Sequence, residues 1–237
     1  HRAKKLADKL IKEKEQGKIL FTTYSRTLAQ NLGKSLKLLC NEDELAHIDV
    51  KTVHKTAFDL LEAGGFDIDI ISDEEVQNLL ANKIEVHSAS WAKNKKLSAL
   101  PTSFYRDEFK NVILAQGITE LRGYLTANRK GRGTALGAKE KQTIWKAFAA
   151  VRQELEARSK TTWSDVLTKA HDLVESGDSK HPYKYVVVDE VQDLEPMGIC
   201  LVATIAGEGE DSLTLVGDGG QRIYCNPFSM SALGVNV

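Results

Sequence analysis

Cysteine is scarce in this 237-residue chain, and the three that occur, Cys40, Cys200 and Cys225, lie far apart. Three separated cysteines give neither a zinc-site spacing nor a disulfide framework, which favours a reducing cytoplasm. Long apolar runs are also missing, so the sequence offers no membrane-spanning helix. The first ten residues alternate charged and apolar side chains and do not form a signal peptide.

An excess of positive charge is missing too. Lys and Arg total 32 against 33 for Asp and Glu, which gives a formal net charge of −1. A protein that binds nucleic acid over its whole surface would be more basic, so any such binding must use local patches. Hydrophobic residues make up 42% and charged residues 27% of the chain, as in an ordinary globular protein.

The middle of the chain predicts helices only. Apolar residues recur at spacings of three and four around 104–115, 118–127 and 139–157, and no strand pattern stands out between 70 and 180. We therefore interpret 66–158 as an all-helical insertion. It would separate two parts of one α/β domain, residues 1–65 and 159–237. The chain also begins without Met, inside a predicted helix, so we expect a piece of a longer protein.

Buried strands are predicted on both sides of this insertion. Residues 19–23 form a short apolar strand, and 185–188 and 213–216 are uninterrupted apolar runs that each lead into acidic residues. Such runs are typical of parallel strands buried on both faces. Strand, helix and strand in this order predict a doubly wound α/β fold, whose ligands bind at the carboxyl ends of the strands.

Asp189 and Glu190 follow the second of these strands, and Gln221 follows the third. Two acids at a strand end can simply meet solvent. Alternatively, nucleotide motors need one acid to hold hydrated Mg²⁺ and a second carboxylate to deprotonate the attacking water. They also need a polar group on a neighbouring strand that senses the γ-phosphate. Asp189, Glu190 and Gln221 supply these three groups.

The motifs around these residues resemble those of a known family. Asp-Glu-Val-Gln-Asp at 189–193 and Gly-Asp-Gly-Gly-Gln-Arg-Ile-Tyr at 217–224 resemble motifs II and III of the UvrD/Rep-type superfamily 1 DNA helicases. Residues 22–29 resemble motif Ia, and Thr-Val-His at 52–54 resembles motif Ib. The resemblance implies a RecA-like domain of the P-loop NTPase type with a helical insertion.

The resemblance also implies an activity and its cofactors. The full-length protein would couple hydrolysis of ATP with Mg²⁺ to movement on single-stranded DNA and to duplex unwinding. Asp189 would hold Mg²⁺ through water, Glu190 would activate water, and Gln221 and Arg222 would link nucleotide state to the rest of the motor. The implied setting is the bacterial cytoplasm at the nucleoid, with DNA repair among the family's roles.

Two departures from the family pattern affect these expectations. The phosphate-binding loop Gly-x-x-x-x-Gly-Lys-Ser/Thr does not occur in these 237 residues, nor does the second RecA-like domain, a partner that would supply an arginine finger. We therefore expect negligible ATP hydrolysis by this piece alone. After Tyr224, Cys225 and Asn226 stand where relatives often have Arg-Trp, so a base-stacking tryptophan is missing.

Several residues are candidates for contact with single-stranded DNA or with a single-strand/duplex junction. Tyr24 and Tyr224 could stack on bases, Arg26 could meet phosphate, and Thr52 and His54 could reach the backbone. Tyr24 could instead cap the sheet edge, and His54 could be a structural histidine.

A basic, glycine-rich stretch without acids occupies 122–139 and contains Arg129, Lys130 and Arg132. It could be a solvated loop, or a mobile loop that binds duplex phosphates.

Two further functions remain open. The full-length protein could be a helicase–nuclease subunit, with a nuclease domain further along the chain. It could also be a non-catalytic DNA-binding or regulatory module with the same fold. The complete set of Asp189, Glu190 and Gln221 argues against the second alternative, because a binding module would not need all three groups.

Overall fold

The computed structural model describes residues 1–91, 94–179, 181–207, 209–218 and 233. These residues form two compact units. The first unit combines His1–Phe66 with the described residues from Val166 onward, and the second unit is Asp67–Asp165. The chain therefore leaves the first unit once and returns to it about a hundred residues later.

The first unit is built from two stretches of alternating helices and strands. Its first stretch contains α1 (Arg2–Glu13), β1 (Lys18–Thr23), α2 (Arg26–Leu39), α3 (Glu42–Ala46), β2 (Ile48–Thr52) and α4 (Val53–Ala63). The second unit then contributes β3 (Asp69–Ile70), α5 (Asp73–Trp91), α6 (Lys95–Ser98), α7 (Thr102–Glu108), a π-helix (Phe109–Leu114), α8 (Leu121–Thr126), α9 (Ala138–Ala157) and β4 (Lys160–Thr161). The remaining elements are α10 (Trp163–Glu175), β5 (Tyr183–Val188), a 3₁₀ turn (Val191–Asp193), α11 (Pro196–Ala206) and β6 (Leu213–Leu215).

The strands of the first unit form one parallel sheet in the order β2-β1-β5-β6. Consecutive residues of a strand point to opposite faces, and both faces of this sheet are covered. Ile19 and Val187 lie in a buried cluster with α1, while Leu20 and Val186 on the alternate positions are also fully buried. Burial on both faces explains the uninterrupted apolar runs and confirms the predicted parallel α/β fold.

The second unit is a helical bundle with its own aromatic core. Phe109 and Phe148 lie 5.2 Å apart between ring centroids, and Tyr124 lies 5.9 Å from Phe148. One predicted helix, 104–115, is in fact α7 followed by a π-helix, which buries the consecutive residues Val112 and Ile113. A two-residue parallel pairing of β3 with β4 joins the ends of the unit. The sequence predicts no strand in this part of the chain.

A buried ionic cluster fixes the basic stretch of this unit. Glu108 is fully buried and accepts two hydrogen bonds from Arg129, at 2.5 and 3.0 Å, and one from Arg132 at 3.1 Å. The hydroxyl of Tyr124 donates to the same carboxylate at 2.9 Å, and burial together with Glu108 raises the pKa of Tyr124. The four side chains therefore satisfy one another inside the unit.

This cluster corrects the prediction for the basic stretch. Only 10% of the Arg129 side chain and 11% of the Arg132 side chain are exposed. Both guanidinium groups face inward, so they are neither solvated nor directed at phosphates. The sequence pattern does not indicate that these arginines are buried, because their partner Glu108 lies more than twenty residues upstream. Lys130, between them, is exposed.

Among the residues that the structure describes, no helix is both long enough and apolar enough to span a membrane.

The buried cluster predicts a large loss of stability when its carboxylate is removed. Glu108→Ala should lower the free energy of unfolding by about 3–5 kcal/mol, because two buried guanidinium groups lose their counter-charge. Urea denaturation followed by tryptophan fluorescence measures the change. Lys110→Ala breaks an exposed ion pair with Asp73 and is the matched control, with an expected cost of about 1 kcal/mol or less. Equal losses for the two variants would contradict this assignment.

Candidate functional site

The carboxyl ends of the four parallel strands meet at one edge of the sheet. Thr23 ends β1, Thr52 ends β2 and Val188 ends β5, and the first and second of these are paired in register. The N–H of Asp189 donates to the carbonyl of Thr22 at 2.9 Å, which carries the sheet one step beyond β5. Three of the predicted motifs therefore lie at this edge, together with Gly217 and Asp218 from the start of the fourth.

Asp189 and Glu190 form a half-buried carboxylate pair at the edge. Burial raises the pKa of Asp189 above its ordinary value, and the neighbouring Glu190 charge raises it further, against a backbone hydrogen bond that lowers it. Among the described residues, neither carboxylate forms an ion pair with a basic side chain. Hard oxygen ligands with uncompensated charge suit a divalent cation such as Mg²⁺.

Glu190 adopts a backbone conformation that is unusual for its residue type. Its φ of 53° and ψ of 46° lie in the left-handed region, which costs a non-glycine residue about 1–3 kcal/mol. The turn after it is held by a 3.0 Å hydrogen bond from the Asp193 N–H to the Glu190 carbonyl. A second backbone bond of 3.0 Å runs from Val191 to Val216 beyond β6. The strained turn directs the chain out of β5 immediately after Asp189.

Gln192 is a residue of this edge to which the sequence assigned no role. It is buried, its amide nitrogen donates to the Glu190 carboxylate, and its amide oxygen accepts from the Asp218 N–H at 3.2 Å. The polar motif 189–193 gave no sign that one of its side chains would be buried. Only the left-handed turn at Glu190 brings Gln192 back to the sheet edge.

Two threonine hydroxyls at the end of β1 were also missed. Thr22 and Thr23 are fully buried, and neither hydroxyl has a hydrogen-bond partner within the described part of the chain. Buried polar atoms are almost always bonded in folded proteins. Thr22 is the register partner of Val188, so its strand position adjoins the one that leads into Asp189.

Tyr24 and His54 come together at the neighbouring strand ends. Their ring centroids are 6.3 Å apart with planes inclined by 73°, an edge-to-face arrangement. Tyr24 follows β1, and His54 lies in the first turn of α4. Burial lowers the pKa of His54, which favours the neutral imidazole at neutral pH. Arg26 is exposed at the first position of α2.

Thr52 has a structural part in this arrangement. Its hydroxyl accepts a hydrogen bond from the Lys55 N–H at 3.2 Å and so caps α4, the helix that carries His54. The residue is 8% exposed, so it is far less open to a ligand than Arg26. Gln221, Arg222 and Tyr224 lie outside the described residues.

A parallel sheet with a carboxylate pair beyond one central strand, and with polar groups gathered at the same edge, is an α/β domain whose ligand edge lies at the strand carboxyl ends, consistent with a RecA-like fold. Residues 3–226 match the family model described as the UvrD/REP helicase N-terminal domain, and the chain belongs to this family. The match confirms the resemblance drawn from the motifs.

A curated relative is DNA helicase IV of Escherichia coli (strain K12), 23% identical over 235 residues. The match covers 87% of this chain and 34% of the relative, so the chain spans about a third of the relative's length.

The raised pKa of Asp189 predicts that its charge destabilises the fold in the absence of a cation. A raised pKa means that the folded chain binds the proton more tightly than the unfolded chain, so stability falls as pH rises through it. Asp189→Asn should therefore raise the urea midpoint slightly at pH 7. Asp67→Asn, at an exposed site, should leave the midpoint unchanged. A lower midpoint for Asp189→Asn alone would show that the ionised carboxylate stabilises the fold.

Proposed function

We propose that the longer protein containing this chain is a DNA-dependent ATPase that moves along single-stranded DNA and opens duplex DNA. In this proposal the first unit is the RecA-like motor domain and the second unit is its helical insertion. The observation that carries the proposal is the meeting of the Asp189–Glu190 pair with Tyr24 and His54 along one sheet edge. An ATP site and a DNA contact would then share the same strands.

Each carboxylate has a distinct part in the proposed hydrolysis. Asp189 would hold the water shell of Mg²⁺, which when bound neutralises phosphate charge. Glu190 leaves the strand at a left-handed turn, and we assign it the task of orienting the attacking water and accepting its proton. Gln221 and Arg222 are proposed from their motif positions, as the groups that sense the nucleotide and link the halves of the motor.

The DNA contacts are proposed on the position of these residues at the sheet edge and, for Arg26, on exposure. Tyr24 would stack on a base, Arg26 would pair with a phosphate, and His54 as a neutral imidazole would bond the backbone. Thr52 would act by holding α4 rather than by direct contact. Tyr224 is proposed as a second stacking residue from its motif position. Arg129 and Arg132 are not proposed as phosphate contacts, because both guanidinium groups form ion pairs with the buried Glu108.

Lys130 is kept as a proposed phosphate contact of the second unit. The substrate would be single-stranded DNA or its junction with duplex DNA. The proposed DNA unwinding would then take place at the nucleoid. The curated relative's name, DNA helicase IV, supports DNA as the substrate.

A non-catalytic module is less well supported, since it would have no use for a strained glutamate beside a half-buried aspartate.

The first test concerns the proposed base. In the full-length protein, Glu190→Gln should abolish DNA-stimulated ATP turnover, because an amide cannot accept the proton from water. Binding of a fluorescent ATP analogue should be retained, since the substitution keeps the size of the side chain. Turnover within twofold of the unchanged protein would refute the assignment of Glu190 as the base. Absence of DNA-stimulated turnover in the unchanged protein would favour the non-catalytic alternative.

The second test concerns the proposed base stack. Tyr24→Ala should weaken binding of single-stranded oligothymidylate roughly five- to 150-fold, which corresponds to about 1–3 kcal/mol for one stacked base. Tyr24→Phe keeps the aromatic face and is the matched control, with affinity expected to be nearly unchanged. Fluorescence anisotropy measures both. Equal affinity for Tyr24→Ala and Tyr24→Phe would return Tyr24 to a structural role at the sheet edge.

A further inference from the structure

The side chain of Gln192 joins two parts of the sheet edge. Only 4% of the residue is exposed, and both ends of its amide are bonded. The nitrogen Nε2 donates to Oε2 of Glu190, and the oxygen Oε1 accepts from the backbone N–H of Asp218 at 3.2 Å. A buried amide with both ends bonded has little freedom to rotate.

The chemistry of the two partners fixes the orientation of this amide. A backbone N–H only donates, so it must meet Oε1, and an ionised carboxylate only accepts, so it must meet Nε2. The neutral amide of glutamine offers both the donor and the acceptor that these two partners require. Glutamate at 192 would keep the bond to Asp218 but set a second carboxylate against Glu190.

We call the two hydrogen bonds of the Gln192 amide, to Glu190 and to Asp218, the Gln192 bridge. Gly217 leaves the space that this bridge occupies. A Cβ atom at position 217 would overlap Oε1 of Gln192, and it would lie 2.9 Å from Cγ1 and 3.1 Å from the nitrogen of Val191. The overlap with Oε1 and the 2.9 Å approach to Cγ1 are closer than real Cβ atoms come, and the 3.1 Å approach is unusually tight, so a larger residue would push Gln192 aside. The glycine therefore serves close approach of the backbone to the Gln192 amide.

The bridge continues the hydrogen bonding between the two strands. Val216 donates to the Val188 carbonyl at 2.8 Å, and Val191 donates to the Val216 carbonyl at 3.0 Å. Gln192 adds a side-chain link beyond these backbone bonds, from Asp218 to the Glu190 carboxylate. The carboxylate is thereby held by one oxygen, and Oε1 of Glu190 has no hydrogen bond within the described part of the chain.

We infer that Gln192 is a positioning residue for the reaction. It clamps Oε2 of Glu190 to the segment that follows β6, so that Oε1 faces the attacking water in one orientation. The inference rests on the proposed function, in which Glu190 accepts the proton of that water. A base held in one orientation raises the rate of the chemical step, and because Gln192 is buried with both ends of its amide bonded within the chain, we expect no effect on the binding of ATP.

The test is steady-state ATP hydrolysis by the full-length protein carrying Gln192→Glu. The variant should lower DNA-stimulated kcat about tenfold or more while KM for ATP stays within about twofold. Its melting temperature should fall, because the substitution buries a second carboxylate beside Glu190, so kcat is compared at a temperature at which both proteins are folded. If the variant fails to fold, Gln192→Met removes both hydrogen bonds without adding charge and should give the same split between kcat and KM.

Gln116→Glu is the matched control. Gln116 also uses both ends of its amide, donating to the Asn128 carbonyl at 2.9 Å and accepting from the Asn128 N–H at 3.1 Å, but it lies in the second unit. The same substitution there should leave kcat unchanged. An equal loss of kcat at both positions would overturn the inference, since it would reflect a general loss of structure.

A second pair of variants tests the bridge without changing Gln192. Gly217→Ala should displace the amide and reproduce the loss of kcat at constant KM. Gly33→Ala places a methyl group in open space on α2 and should leave kcat unchanged. Full activity of Gly217→Ala would overturn the inference.

The outcomes separate this inference from the proposed function. If Glu190→Gln abolishes turnover while Gln192→Glu keeps kcat within twofold, the function stands and the positioning role is wrong. If Gln192→Glu raises KM and leaves kcat unchanged, Gln192 acts in nucleotide binding and the inference is again wrong. If Glu190→Gln retains turnover, the assignment of Glu190 as the base is wrong and the positioning role of Gln192 is wrong with it. If the unchanged protein shows no DNA-stimulated turnover, the proposed function itself has failed.

Discussion

The parallel pairing of β1 with β5 is the constraint on which the site depends. It sets Thr22 beside Val188, residues that are separated in sequence by the whole helical unit. Because both faces of the sheet are buried, a shift of one residue would turn Asp189 or its neighbours into the core. The register therefore fixes where Asp189 leaves the sheet. It also aligns the end of β1 with the end of β5, so that Tyr24 and the carboxylate pair share one edge.

In the ranges that the structure describes, buried charge is paired in the second unit and unpaired at the sheet edge of the first unit. In the second unit, Glu108 is fully buried and is satisfied by two arginines and a tyrosine, so its charge fixes the structure. At the sheet edge, Asp189 and Glu190 are half-buried beside each other, and burial raises the pKa of Asp189. A buried charge that is paired internally is costly to disrupt, because removing one partner leaves the other uncompensated, whereas charge left unpaired is available to a ligand. The contrast separates a structural cluster from a candidate site where composition alone could not.

Much of this structure was predictable from the sequence. There are physical reasons why the rest was not predictable. The apolar run before Asp189 predicted a buried parallel strand, because burial on both faces leaves no alternation. The run before Gly217 is also a parallel strand, but β6 is only partly buried and Val216 is 48% exposed. Local patterns could not reveal the burial of Arg129, since its partner Glu108 is distant in sequence. They also gave no sign of the π-helix at 109–114. Likewise, the role of Gln192 depends on the backbone angles of Glu190, which the residue type itself disfavours.

The left-handed turn at Glu190 gives a physical reason for the spacing of residues 189–192. Asp189 continues the direction of β5 and is bonded to Thr22. Glu190 then reverses the chain, so that the side chain two positions later returns to meet both Glu190 and Asp218. One residue fewer between Glu190 and Gln192 would turn the amide by about 120° in this 3₁₀ turn, away from Asp218. The interval is therefore set by backbone geometry, and the strain at Glu190 is offset by the hydrogen bonds that the reversal makes possible.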